Sequence, residues 1–314
     1  DRRWMGRDRK RGALSDLNRL LLGQPGAEAA FDAEGAACRS LRGKFRFVLT
    51  IDADTRFLPG EARRLIGTLA HPLNAPRRVP AAAAENPLGK SAPGAAAQPV
   101  RRGYAVLQPQ MEMAASACAN DFVRLFAGNG GLNTYPTSVS NFWQDVTGEG
   151  IFGGKGLYDV RAFSAALDGA LPEGRILSHD LIEGTLAKAA LVSDVCFYDG
   201  FPATLGSWLK RLNRWIRGDW QLLPVLLGAK RYPPDGQRLG AAARVRLLDN
   251  LLRSLRAPAL LALLIQAVWF SSENALFAAM LFAFLTPILY PRGGHPWRRA
   301  TVELAILPAT ASCA

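Results

Sequence analysis

Cysteine is scarce and scattered in this chain of 314 residues: Cys38, Cys118, Cys196 and Cys313 lie far apart and form no Cys-x-x-Cys pair. That spacing excludes a disulfide framework and a cysteine-based zinc site, and it fits a reducing, cytoplasmic compartment. A signal peptide is not expected either, because residues 1–11 are basic and polar with no apolar core behind them. Acidic residues are the minority, 26 Asp and Glu against 38 Lys and Arg, for a net charge of +12. Such a balance suits nucleic acid, an anionic membrane surface or a phosphate-bearing substrate. The arginines are spread out, and no zinc finger, aromatic RNA-binding signature or helix-turn-helix accompanies them, so no nucleic-acid partner is expected. The length allows one catalytic domain plus an appendage.

What is present begins with Phe45-Arg46-Phe47-Val48-Leu49-Thr50-Ile51-Asp52-Ala53-Asp54-Thr55, an apolar run that stops on two carboxylates. In a strand, positions i and i+2 share a side, so Asp52 and Asp54 are expected to enter one crevice at the strand's C-terminal end. Ligands bind there in open α/β sheets. A hard divalent cation, with a substrate diphosphate completing its shell, suits such a pair. A strand ending in a polar turn gives the same residues, since Asp is common in turns.

Along the chain, residues 12–22 carry helical apolar spacing at Leu14, Leu17, Leu20 and Leu21, with Gly23 as the stop. Glu61 to Leu69 reads as a helix, and the Ala/Pro-rich stretch from Pro72 to Pro99 as an excursion with little regular structure. Tyr104 to Gln108 reads as a strand and Met111 to Phe126 as mostly helical. The glycines of Gly148 to Gly156 allow close backbone approach around Lys155, although the spacing is not that of a P-loop. Asp180 precedes a helix predicted over Leu181 to Ala190, where free N–H groups favour a carboxylate; a plain N-cap reads the same way.

The last third is apolar. Ala257 to Phe270 and Ala275 to Tyr290 contain no charged residue and are split by Ser271-Ser272-Glu273-Asn274. Each is slightly short of the roughly 17 residues that span hydrocarbon, so a buried soluble hairpin stays open. The flanking Arg244, Arg246, Arg253, Arg256, Arg292, Arg298 and Arg299 favour a membrane with both outer ends cytoplasmic. A third apolar segment begins at Val302.

Asp52-Ala53-Asp54, then Ser178-His179-Asp180, then Arg211-Leu212-Asn213-Arg214-Trp215 stand in an order that resembles the processive inverting glycosyltransferases of GT-A fold, the group that includes cellulose synthase. Four stretches narrow the resemblance: residues 10–21, 103–110, 148–160 and 177–184, joined by Arg214-Trp215-Ile216-Arg217-Gly218-Asp219-Trp220-Gln221-Leu222-Leu223-Pro224. Together they look like the glycosyltransferase segment of the cyclic β-1,2-glucan synthases, over most of residues 7–260.

That resemblance implies an α/β GT-A domain over 1–228, a basic amphipathic linker over 229–256 and transmembrane helices over 257–314, with spans at 257–272 and 275–290. It implies a bacterial inner-membrane enzyme whose catalytic domain faces the cytoplasm and transfers glucose from UDP-glucose, with inversion, to a 2-hydroxyl of a growing β-1,2-glucan. Two nucleotide-binding strands and a uridine-contacting Asp would precede Lys10 in the family, and a phosphorylase-like region would belong to the same full-length polypeptide. The chain therefore reads as a fragment of such an enzyme.

Asp52 and Asp54 would hold Mg²⁺ or Mn²⁺ against the diphosphate, with Asp54 the direct ligand and Asp52 nearer the ribose. Asp180 would be the general base. Arg211 and Arg214 would reach the diphosphate as guanidinium forks, and Trp215, Gly154, Lys155 and Gly156 would shape the acceptor side. Asp219, Trp220 and Gln221 are expected to line the same site, while His179 reads as structural. Two other functions stay open: a synthase of the same group with a different sugar or linkage, and a non-catalytic membrane-associated binding protein.

Overall fold

The computed structural model describes residues 10–31, 40–78, 100–117, 120–126, 142–172, 174, 176–177, 180–230, 239–270 and 273–289. Ser178, His179, the stretch 79–99, the flanking Arg292, Arg298 and Arg299, and the segment from Val302 lie outside them.

A mixed five-stranded sheet forms the centre. Its strands are β1 (Phe47–Thr50), β2 (Arg56–Phe57), β5 (Val106–Met113), β6 (Gly156–Asp159) and β7 (Ala189–Asp199), in the order β1-β6-β5-β7-β2. Two short strands, β3 (Arg77–Arg78) and β4 (Val100–Arg102), pair separately. β6 runs antiparallel to β1 and β5, β5 is parallel to β7, and β2 is antiparallel to β7. The C-terminal ends of β1, β5 and β7 therefore share an edge with the start of β6 and of β2. Asp52, Lys155, Thr55 and Asp199 all fall at that edge because each sits at, or within two residues of, a strand end.

Period-two alternation sorts the core. Val106 and Tyr158 face one cluster, while Leu107 and Leu157 face another. The first lies under α1 (Lys10–Leu21), α5 (Val160–Leu167) and α6 (Asp180–Leu186), and the second under α2 (Glu61–Ala70), whose Leu65 and Leu69 are fully buried. Each such leucine contributes about 1.5–3 kcal/mol of apolar transfer. The predicted helix at Gly12–Leu22 is α1, with Gly23 left-handed at φ 71° where a side chain would be strained. Tyr158 stacks on Phe163 and donates its hydroxyl proton to Asn18 Oδ1 at 2.8 Å, which ties α1 to the sheet.

Two expectations change here. Met111 to Met113 belong to β5, and among the described residues helix returns as a 3₁₀ turn at Ala115–Ala117 and as α3 (Asp121–Phe126); Met and Glu are good helix formers, and pairing with β7 overrides that propensity. The register of β5 against β7 shifts between Pro109 and Gln110, where Pro109 has no N–H for the ladder. The helix at Asp180 ends at Leu186, because β7 pairing claims Ala189 and Ala190. The short helix α4 (Phe142–Thr147) precedes the glycine-rich loop.

The C-terminal part opens with α7 (Leu205–Trp220), started by a Thr204–Ser207 capping box, followed by α8 (Leu223–Leu226). The stretch 241–256 is not separate from the first apolar run. The two form a single 29-residue helix, α9 (Ala241–Trp269), which packs on α10 (Glu273–Leu289) through Leu260 and Ala279. Among the described residues, α9 is the one helix long and apolar enough to cross a bilayer by length and composition. Its N-terminal half packs on the domain instead, with Leu247 in the main core cluster beside Leu222 and Val225.

Candidate active site

β1 ends at Thr50, so strand alternation does not set Asp52 and Asp54. A turn does: the Thr55 N–H donates to the Asp52 carbonyl at 3.1 Å, and the Asp52 N–H donates to Thr55 Oγ1 at 3.2 Å. Asp52 is half-buried and Asp54 exposed. Lys10, the first residue of α1, donates to Asp52 Oδ1 at 2.8 Å and to the Gly154 carbonyl at 3.0 Å. Lys155 meets Asp52 Oδ2 at 3.0 Å and also pairs with Asp199. Thr55 donates its hydroxyl proton to the other oxygen of Asp199 at 2.6 Å. Burial raises the Asp52 pKa, but the two ammonium groups outweigh it and hold the carboxyl below its ordinary value. For Lys155 burial works downward, and Asp199 and Asp52 reverse it, so the ammonium is held more firmly than usual.

Asp180 opens α6 and stands over the glycine-rich loop. A Cβ built at Gly154, which has φ 80°, would lie 3.0 Å from Asp180 Oδ1 and 3.1 Å from Oδ2. The loop is also pressed on α6 from below, since a Cβ at Gly184 would come within 2.6 Å of Phe152 Cβ. Arg11 Nε meets the buried Glu183 at 3.2 Å, so α1 fixes α6 while its neighbour Lys10 enters the site. Burial pushes the Asp180 carboxyl up to about 6; the Asp52 charge adds to the rise, while Lys10, Lys155 and Arg214 oppose it. An acid raised this far is a stronger base than an ordinary carboxylate and is still mostly ionised near neutral pH. Asp219 behaves similarly: burial lifts it to about 7, Asn250 hydrogen-bonds it, and the Asp180 charge raises it further.

Several expected residues thus meet. Asp52 and Lys155 pair, Gly154 lies against Asp180, and the Asp180 carboxyl feels the charges of Asp52, Lys155 and Arg214, while its own charge reaches Asp219. Asp54 lies against the backbone next to Asp199, where a Cβ at Gly200 would be 2.8 Å from its Oδ2. Lys155 engages the carboxylates of the Asp52 turn rather than a separate surface. Gly156 is inside β6, where a Cβ would strike the Leu107 carbonyl at 2.1 Å, so strand packing alone demands glycine there. Arg211 and Trp215 are half-buried on α7. The Trp220 indole donates to Ser254 Oγ at 3.0 Å, and Gln221 accepts from the Leu177 N–H at 2.8 Å, so these two side chains hold elements together. Sequence reasoning gave no role to Lys10, Thr55 or Asp199. Only Asp199 left a local signal, a carboxylate at the end of an apolar run, the same pattern as Asp52.

Among the described residues, no three His, Cys, Asp or Glu side chains converge as a ready-made cation site. The donor set nevertheless suits a hard cation brought with a diphosphate, which takes one or two protein carboxylates. Asp54 is exposed and carries no ion pair among the described residues, whereas Asp52 is occupied by two lysines.

No family model matches the chain. It is 39% identical, over 272 residues, to the cyclic β-(1,2)-glucan synthase NdvB of Rhizobium meliloti (strain 1021). The match takes in 86% of this chain but only 9% of that protein. The shared stretch contains the edge at which Asp52, Lys155 and Asp180 meet. The chain is therefore related, across most of its own length, to one segment of cyclic β-(1,2)-glucan synthase.

Proposed function

We propose that this chain is the sugar-transferring part of a glucan synthase, with a GT-A arrangement, and that it moves glucose from UDP-glucose to the 2-hydroxyl of a β-1,2-glucan with inversion. The observation that carries the reading is the Asp180 carboxylate, held over Gly154 and within electrostatic reach of Lys10, Asp52, Lys155 and Arg214. Asp180 takes the proton of the acceptor hydroxyl as that oxygen forms its bond to the anomeric carbon. The bond from that carbon to the diphosphate oxygen breaks, and its electron pair leaves with the nucleoside diphosphate. Inversion follows from attack opposite the leaving group.

Lys10, Lys155 and Arg214 supply positive charge where the diphosphate gains negative charge. Asp54, with Asp52 beside it, is the carboxylate suited to Mg²⁺ or Mn²⁺. When bound, such a cation neutralises the departing diphosphate. Arg211 adds a second guanidinium on α7, and Trp215 a flat face for the acceptor sugar.

Membrane attachment belongs to the same proposal. Ile265, Val268, Trp269, Phe270, Phe277 and Met280 are exposed at the far end of the α9–α10 hairpin, a patch of the kind that marks a lipid or protein contact. The arginines of the N-terminal half of α9 support a reading in which that end faces the cytoplasm.

The test is incorporation of radiolabelled UDP-glucose by the full-length protein in membranes with Mg²⁺ or Mn²⁺, comparing wild type with Asp180→Asn. Metal-dependent formation of a β-1,2-linked glucan that disappears in the variant is the expected result. Product of another linkage or from another nucleotide sugar would replace the glucan assignment with a related synthase. Absence of turnover with every donor would leave a binding protein.

A further inference from the structure

One face of α9 carries three polar side chains at a spacing of four residues, Arg246, Asn250 and Ser254, and four-residue spacing places them in a row. Each reaches a different part of the site's frame. Arg246 is 2% exposed; it donates to the Gly150 carbonyl at 3.2 Å and pairs with the Glu149 carboxylate. Asn250 hydrogen-bonds Asp219, and the buried Ser254 accepts from the Trp220 indole at 3.0 Å. Glu149 and Gly150 begin the loop that ends in Gly154 and Lys155, while Asp219 and Trp220 close α7, the helix that carries Arg214.

We infer that the N-terminal half of α9 is a clamp that sets the glycine-rich loop against the C-terminal end of α7, and that Arg246 is the positioning residue of this clamp. This inference rests on the reading of Gly154, Lys155 and Asp180 as the transfer site.

The sequence logic is direct. A guanidinium is rarely buried without partners, and this one is spent on the base of one loop rather than on solvent or lipid. Gly150 is itself fixed, because its N–H donates to the Ala189 carbonyl at 2.8 Å and a Cβ there would meet the Leu191 nitrogen at 2.7 Å. Three residues separate Gly150 from Gly154, so a displacement of the base moves the Lys155 ammonium and the backbone under Asp180. Leu247 and Leu251 bury beside the polar row, which makes the clamp rigid. The same helix continues into the apolar span from Ala257, with Pro258 at the junction.

The experiment uses the full-length protein purified in detergent, with Arg246→Met, Arg246→Lys and, on the exposed opposite face of α9, Leu248→Ala. Two quantities are read: steady-state kinetics of glucosyl transfer, and amide hydrogen exchange over 148–156 beside that of β5 and β7. Arg246→Met is expected to lower kcat about tenfold to a hundredfold, the cost of a misplaced site, with donor KM little changed. Exchange should accelerate in the loop but not in β5 or β7, Arg246→Lys should recover part of both, and Leu248→Ala should match wild type. Unchanged kcat and loop exchange would overturn the inference, as would equal acceleration in loop and strands, which marks a general loss of stability. If Arg246→Met does not fold, Arg246→Lys decides by the same two readings. If wild type transfers no sugar, the functional reading fails and the exchange comparison alone decides whether α9 clamps the loop.

Discussion

The Asp180 carboxylate rests on the backbone of Gly154, with no room for a Cβ between them without displacing one or the other. The pair links a helix start to a loop 26 residues earlier in the chain, and it sets where the candidate base can point.

Gly154→Ala tests that contact. The residue sits at φ 80°, a region that costs a non-glycine residue about 1–2 kcal/mol, and the new methyl pushes Asp180 aside. Transfer should fall about tenfold or more, which is more than the modest fall in the thermal midpoint explains. Activity close to wild type would remove Gly154 from the site.

The pH profile follows from Asp180. With its carboxyl at about 6, kcat/KM should rise about tenfold per unit below that value and level off above it. The sign for stability is opposite. Asp180 and Asp219 are both raised above their ordinary value of 3.8, so their contribution is complete below that value and is lost progressively as pH rises from there through about 6 for Asp180 and about 7 for Asp219. Chemical denaturation of Asp180→Asn and Asp219→Asn across that window should flatten the corresponding slope.

The proposed function gives the metal-ligand role to Asp54. Chelation should abolish transfer, and added Mg²⁺ or Mn²⁺ should restore it. Asp54→Ala should lose most turnover, yet change folding by no more than about 0.5 kcal/mol, as an exposed side chain does. Turnover that survives Asp54→Ala, at the same metal concentration, would move the ligand role elsewhere.

Two glycines flanking the glycine-rich loop, Gly148 and Gly156, should respond differently. Gly156→Ala drives a Cβ to 2.1 Å from the Leu107 carbonyl and should prevent accumulation of folded protein. Gly148→Ala meets nothing within 4 Å and bears only the strain of φ 68°, about 1–2 kcal/mol. Expression level and thermal midpoint separate them.

Thr55→Val keeps the β-branched shape and removes the hydroxyl between the Asp52 N–H and Asp199. The loss should be about 1–3 kcal/mol, because Thr55 is buried and its partners are left unpaired. Transfer should weaken too, since the Asp52 turn loosens. A denaturation midpoint equal to wild type would show that water replaces the hydroxyl at no cost.

Much of the secondary structure was legible in the residues: α1 from its leucines and Gly23, β1 from its apolar run, α2 after Pro59-Gly60, and two apolar helices near the C-terminus. Each of these depends on neighbours within a few positions, which is the range over which periodicity and capping act. The motif order also pointed to a glucan synthase, and the match to NdvB agrees with it. Met111 to Met113 are strand because pairing with β7 overrides the helix propensity of Met and Glu, and that pairing is not local.

The site itself was decided in three dimensions. Nothing near Asp52 announces that Lys10 and Lys155 will share its carboxylate, that Asp199 will take the other side of Lys155, or that α9 will send Arg246 into the base of the loop. These groups are separated by 40 or more residues; sheet order brings Asp52, Lys155 and Asp199 to one edge, and the packing of α1 and α9 brings Lys10 and Arg246 to their partners. The basicity of Asp180 is tertiary as well: the sequence supplies the carboxylate, and burial among packed elements moves its proton affinity toward neutral pH.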